Sequence, residues 1–219
     1  MRIKVCGLNP VRDVQLCIDL GVDFLGFVFY KKSPRNLNIN EVRELKKYNK
    51  QNSFFAAVTV DPTNEFIKDV VLKNFDYIQL HGSETTERVK EIKSMGLKII
   101  KAIKIKKESD IEHYKKYDMA DVILFDTPGM EKSIEFPKNL IAKIPKGGKY
   151  ALAGSISQNN IENIANLGVT FCDLSSSLES DTQIGYKDHQ KIKKFIMYFL
   201  LAHCRTPICP QFKSRAFRF

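Results

Sequence analysis

The sequence predicts an α/β protein folded as a single (β/α)8 TIM barrel. Three observations predict it. Short apolar, β-branched runs recur eight times along 219 residues, at intervals of roughly twenty to thirty residues. Amphipathic segments with helical spacing lie between them, and no run carries the marks of an edge strand, so a closed parallel barrel fits better than a doubly wound sheet.

The runs are Ile3 to Cys6, Phe24 to Phe29, Phe54 to Val60, Tyr77 to Leu80, Ile99 to Ile103, Val122 to Phe125, Tyr150 to Leu152 and Val169 to Leu174. Val89, Ile92 and Met95 mark one intervening helix, and Ile161, Ile164 and Leu167 mark another. Gly21, Gly96 and Gly168 stand where helices hand back to strands, the position at which glycine commonly closes a helix. The barrel is expected over residues 1–201. The remainder, 202–219, carries Arg205, Lys213, Arg215 and Arg218 with no acid and reads as a basic, disordered tail.

Lysine and arginine total 35 against 25 acids, a formal charge of +10. Most lysines alternate with acids on helix surfaces, as at Glu87, Lys90, Glu91 and Lys93, which is a solvated face. No stripe of basic and aromatic residues accompanies them, so nucleic-acid binding is not expected. The apolar run Phe195 to Ala202 is too short for a bilayer, and the chain opens directly into a strand pattern without a leader. Neither a membrane partner nor secretion is expected. Cysteines 6, 17, 172, 204 and 209 form no paired framework, which points to reduced thiols and a cytoplasmic location.

In a barrel the chemistry sits in loops at the carboxyl ends of the strands. Those positions hold Cys6-Gly7, Ser33-Pro34-Arg35, His81-Gly82, Asp126, Gly154-Ser155 and Asp173-Leu174-Ser175-Ser176-Ser177. Small residues after the seventh and eighth strands suit a phosphate, through backbone N–H groups, although they also serve as ordinary turn and cap residues. Cys6 and Asp126 end strands about halfway round the ring from each other, the placement of an acid and base pair flanking one ligand. Such a pair needs the thiol ionised and the carboxyl protonated. Taken alone, Cys6 also fits an inert core thiol. Arg35 presents a planar fork suited to a carboxylate, or a flat face suited to an aromatic ring. His81 has no partner at metal-ligand spacing, and His203, Cys204 and Cys209 lack zinc spacing, so no metal is expected. No nucleotide fingerprint follows any strand, so no cofactor is expected.

The motifs Lys4-Val5-Cys6-Gly7, Gly26-Phe27-Val28-Phe29-Tyr30 with Ser33-Pro34-Arg35, Gln79-Leu80-His81-Gly82 and Asp173-Leu174-Ser175-Ser176 fall in order at successive strand ends. Together they resemble the phosphoribosylanthranilate isomerases of tryptophan biosynthesis, over residues 1 to about 200. The resemblance implies an Amadori rearrangement of N-(5-phosphoribosyl)anthranilate to 1-(2-carboxyphenylamino)-1-deoxyribulose 5-phosphate, with no cofactor. It makes Cys6 the general base and Asp126 the general acid. Arg35 would hold the anthranilate moiety and Gly154, Ser155, Ser175 and Ser176 the phosphate, with His81 and Asp173 beside the substrate. The partner is then a small phosphorylated molecule, and the assembly a monomer or homodimer.

Three positions depart from the family pattern. The stretch Thr127 to Phe136 replaces a glycine-rich loop leading to Phe-Asp-Trp, and Ser155 and Ser177 stand where glycines are usual. A serine forced to positive φ would be strained. The alternatives are another phosphosugar barrel, such as an indole-glycerol-phosphate synthase or a ribulose-phosphate epimerase, and a silent barrel binding nucleic acid through its basic tail. Neither named enzyme class explains Cys6-Gly7 together with Asp126.

Overall fold

The computed structural model describes residues 1–127, 138–154 and 156–203. Eight strands, β1 (Arg2–Cys6), β2 (Phe24–Phe29), β3 (Phe54–Thr59), β4 (Tyr77–Leu80), β5 (Lys98–Lys104), β6 (Val122–Asp126), β7 (Tyr150–Ala153) and β8 (Phe171–Leu174), pair in parallel in sequence order and close β8 onto β1. Closure removes the doubly wound alternative. All eight apolar runs become strands. The largest difference is at β8, which starts at Phe171, with Thr170 just before it donating its N–H to the Tyr150 carbonyl and its hydroxyl to the Gly148 carbonyl.

The register shows how the barrel fills. Inward residues of alternate strands stack in layers: Phe24, Tyr77, Val122 and Phe171 at the bottom, then Lys4, Ala56, Ile100 and Ala151. Above them lie Gly26, Gln79, Leu124 and Asp173, and then Cys6, Val58, Ala102 and Ala153. The bottom is aromatic, with the Phe24 ring 4.8 Å from Phe171 and 5.4 Å from Tyr77. A lysine in the second layer is the exception to an otherwise apolar lower interior. The outward faces of the strands form a separate, larger core against the helices, including Ile3, Val5, Leu25, Phe27, Ile78 and Ile99.

The helices follow the expected spacing. Thr86–Ser94 is capped by the Thr85 hydroxyl accepting from Arg88 N–H and buries Val89 and Ile92. Ile161–Ala165 buries Ile161 and Ile164. Gly21, Gly96 and Gly168 all have positive φ. The last helix, His189–His203, runs two residues into the stretch assigned to the tail, and residues 204–219 lie outside the described residues. Among the described residues no helix is long and apolar enough to cross a membrane.

One device recurs at the bottom of the barrel. The aspartate just before β2, β4 and β6 accepts a backbone N–H from the preceding strand: Asp23 from Ile3 at 2.8 Å, Asp76 from Phe55 at 2.7 Å and Asp121 from Ile99 at 2.7 Å. Each carboxylate thus satisfies a strand-end donor that the parallel ladder leaves over. Asp76 also pairs with Lys50 at 2.9 Å. Removing a charged acceptor from a backbone donor costs about 1.5–3 kcal/mol. Asp76→Ala is therefore expected to lower stability by that order in urea titrations, and Asp76→Asn, which keeps an acceptor, by less than half as much.

Candidate active site

Lys4, Cys6 and Asp173 meet at the seam where the barrel closes. Lys4 and Asp173 are register partners across β1 and β8, and the Lys4 Nζ donates to Asp173 Oδ2 at 2.7 Å. The lysine is completely buried and the aspartate nearly so. Cys6, two residues after Lys4, projects from the same face, and the Cys6 sulfur and Lys4 Nζ lie side by side over Gly26, each 3.0 Å from where a Cβ on that glycine would stand. Burial works to lower the Lys4 pKa, but Asp173 and Cys6 outweigh it and hold the amine above its ordinary value. Burial likewise pushes the Cys6 thiol up, opposed first by Lys4. It also pushes the Asp173 carboxyl up against the pull of the same ammonium.

Arg35 lies across the loop after β1. Its path explains Gly7, which has φ +79° and whose added Cβ would sit 2.6 Å from Arg35 Cδ. The fork meets an internal carboxylate: Nε lies 2.5 Å from Glu179 Oε1 and Nη2 3.0 Å from Oε2. Glu179 also accepts from the buried Lys187 ammonium at 2.9 Å and from Gly185 N–H at 3.1 Å. Although burial raises a carboxyl pKa, these donors more than reverse it and hold Glu179 below the usual glutamate value. Lys187 additionally donates to the Ser175 carbonyl, which ties this cluster to the end of β8.

Across the mouth, Asp126 ends β6 half-buried, with its Oδ2 3.1 Å from His81 Nε2. Gln79 Nε2 lies 3.2 Å from His81 Nδ1. With that amide donating, the neutral ring carries its proton on Nε2, facing Asp126. A cavity of about 260 Å³ opens beside His81, walled by Lys101, Lys104, His113, Lys116 and Tyr117. Two buried polar atoms lack a partner among the described residues, Gln79 Oε1 and Asp173 Oδ1, both in the upper polar layer.

At the β7 and β8 ends, Gly154 has φ +104°, and Ser175 donates its hydroxyl to the Cys6 carbonyl at 3.2 Å. Ser176 opens a short 3-10 turn, Ser176–Leu178. Ser177 is not at positive φ, so the strain expected of serine there does not arise. Ser155 and the stretch 128–137 lie outside the described residues. Among the described residues no group of three or more metal-ligating side chains forms.

A family model described as N-(5'-phosphoribosyl)anthranilate (PRA) isomerase matches residues 3–197. The chain belongs to the phosphoribosylanthranilate isomerase family. The isomerase of Sinorhizobium medicae (strain WSM419) is 34% identical over 190 residues, covering 81% of this chain and 88% of that protein. A solved phosphoribosylanthranilate isomerase in complex with reduced 1-(o-carboxyphenylamino)-1-deoxyribulose 5-phosphate superposes with a TM-score of 0.75 at 28% identity, over 90% of this chain and 97% of that one. A structure from Thermotoga maritima, of monomers generated from a dimeric isomerase, matches with a TM-score of 0.75 at 27% identity over the same shares.

Against this family frame, the fold gathers Cys6, Asp173, Ser175 and Arg35 on one side of the mouth and His81 with Asp126 on the other. The sequence alone does not reveal Glu179 and Lys187, which lie in a loop without periodicity, Glu179 bonding Arg35 from 144 positions away and Lys187 bonding Glu179. For Lys4 the available signal is a charge at an inward strand position two residues before Cys6. Because the folded Glu179 pKa is depressed, its stabilisation is full above the ordinary glutamate value and lost as pH falls through the lower folded value. Thermal melts should therefore fall on acidification below about pH 4.5, and this loss should be smaller in Glu179→Gln. Glu179→Ala, which leaves two cations facing each other, is expected to cost about 3–5 kcal/mol.

Proposed function

We propose that the protein isomerises N-(5-phosphoribosyl)anthranilate to 1-(2-carboxyphenylamino)-1-deoxyribulose 5-phosphate, with Cys6 as general base and Asp126 as general acid. The observation that carries the reading is the pairing of these two groups at the ends of β1 and β6, each backed by a different partner. Cys6 stands against a buried ammonium, and Asp126 against an imidazole.

The reaction moves protons only. Asp126 protonates the furanose ring oxygen, the C1–O bond breaks, and the anthranilate nitrogen supplies the electron pair that makes the ring-opened Schiff base. Cys6 then takes the proton from C2; as the resulting enolamine becomes the ketone, C1 gains a proton, the C2 hydroxyl loses one, and return of the proton held on Cys6 and reprotonation of Asp126 restore both groups. Positioned proton transfers are each worth about 10² to 10⁴ in rate, so the residues of this chain suffice without a cofactor.

Gly154, Ser155, Ser175 and Ser176 form the phosphate end of the site. Arg35, braced by Glu179, faces the anthranilate with its planar guanidinium rather than with a free fork. Asp173 Oδ1, buried and without a partner among the described residues, is an acceptor open to a substrate hydroxyl or amine. His81 orients Asp126. We place the enzyme in the cytoplasm, as a monomer or a homodimer, since the Thermotoga maritima relative is dimeric.

The decay of anthranilate fluorescence after mixing with freshly generated phosphoribosylanthranilate tests the reading. Fast loss is expected for the parent, with Cys6→Ala and Asp126→Asn each slower by about 10² to 10⁴. Background rates in the parent would reject it. Arg35→Ala should raise KM by about tenfold or more, equivalent to about 1.4 kcal/mol of lost binding, with a smaller change in kcat.

A further inference from the structure

Three buried cysteines occur among the described residues, and they are not alike. Burial raises the thiols of Cys17 and Cys172 far above the ordinary range, and no ammonium is hydrogen-bonded to either sulfur. The Cys6 thiol is pushed up by burial too, but it alone of the three has a buried ammonium, Lys4, as the largest influence after burial, and one that opposes that push. The space for that ammonium comes from the neighbouring strand. Gly26 is the register partner of Cys6, and a Cβ added there would lie 3.0 Å from the Cys6 sulfur and 3.0 Å from Lys4 Nζ. Any side chain at Gly26 would wedge between the two groups. On its other side Lys4 is anchored by Asp173 at 2.7 Å, so the ammonium cannot withdraw into solvent.

We propose that Lys4 is a positioning residue of this site: its buried ammonium, anchored by Asp173 and admitted beside the sulfur by the bare backbone of Gly26, is the charge partner that favours the ionised sulfur of Cys6 as acceptor of a carbon-bound proton. The inference rests on Cys6 being the base, as read above. In the step it serves, the C2–H bond breaks, its electron pair enters the iminium system, and the proton ends on sulfur. Lys4 neither gains nor loses a proton. Its charge is a fixed partner to the thiolate in a place where burial alone would leave an inert thiol.

The groups that face the sulfur are Lys4 from β1, Asp173 from β8 and Lys187 from the loop after β8, with Asp126 and His81 standing beyond Asp173. Asp173 opposes ionisation of Cys6, while Lys187 favours it more weakly than Lys4 does. Replacing Lys4 by a neutral residue therefore moves the thiol in one direction, upward.

The test is a titration of the full chain labelled with [13Cβ]cysteine, in which the Cβ shift reports thiol or thiolate regardless of access, with each signal assigned by Cys→Ser replacement. In the parent, Cys6 is expected to ionise at lower pH than Cys17 and Cys172. In Lys4→Met the Cys6 midpoint should rise by about one pH unit or more, a tenfold loss of thiolate. The Cys17 and Cys172 signals should stay in place. The acid limb of kcat/KM should rise with the Cys6 midpoint while KM changes little.

Cys6 titrating together with Cys17 and Cys172 in the parent, or an unmoved midpoint in Lys4→Met, would overturn the proposal. Should Lys4→Met fail to fold, the comparison of the three cysteines in the parent still decides. Because the titration needs no substrate, a protein that shows the early Cys6 transition but no isomerase activity would fail the reading above and not this one.

Discussion

The ion pair between Lys4 and Asp173 is the interaction on which the upper half of the barrel depends. It joins the first strand to the last, 169 residues apart, and does so inside the barrel, where neither group meets solvent. Removing one partner from such a pair costs far more than the pair itself contributes, because a bare charge is left in a medium that cannot solvate it. The two strands are thereby held in one register at the seam. That register brings Ser175 under the Cys6 carbonyl, while the strand's own two-residue repeat puts Cys6 on the Lys4 face and the β1–β2 pairing puts Gly26 opposite Cys6.

From the seam outward the charges form a graded set. Lys4 and Lys187 lie on the Cys6 side, with Glu179 absorbing Lys187 and the fork of Arg35. On the opposite side Asp126 pairs with the His81 imidazole. A mouth with a thiol beside an ammonium on one side and a carboxyl beside an imidazole on the other suits two proton movements in opposite senses, one onto sulfur and one off a carboxyl. The bracing of Arg35 fits the same logic. A guanidinium already fixed by two hydrogen bonds loses little freedom when a flat ring comes to rest against it.

The fold was legible because its signal is repeated and local. Each apolar run had the length of a strand, each helix its 3.6-residue stripe, and the rule that barrel chemistry sits at strand ends turned position into a guide to function. Cys6, His81, Asp126 and Ser175 could be found that way, since each directly ends or follows a strand. Glu179 and Lys187 could not, because their importance lies in contacts made across the mouth from an irregular loop. The occupied fork of Arg35 was invisible for the same reason: a carboxylate partner was foreseeable from the guanidinium's shape, but nothing local says that the partner is internal. At β8 the sequence favoured an earlier start, because Val169 is apolar and β-branched. The strand itself begins only at Phe171, two residues after Val169 and past the positive-φ turn at Gly168.

The two ends of the barrel divide the work between stability and reactivity. At the bottom, aromatic rings fill the interior, and Asp23, Asp76 and Asp121 each satisfy a strand-end N–H, so that end is saturated. At the top, Gln79 Oε1 and Asp173 Oδ1 are buried with no partner among the described residues, and three ammonium or guanidinium groups crowd the seam. Each of these features costs folding free energy, and each points a polar group into the mouth. A chain can retain them because the lower layers and the outer core hold the strands without their help. The unsatisfied atoms are then the ones a polar substrate can satisfy, which makes the least stable layer of the barrel also its most selective.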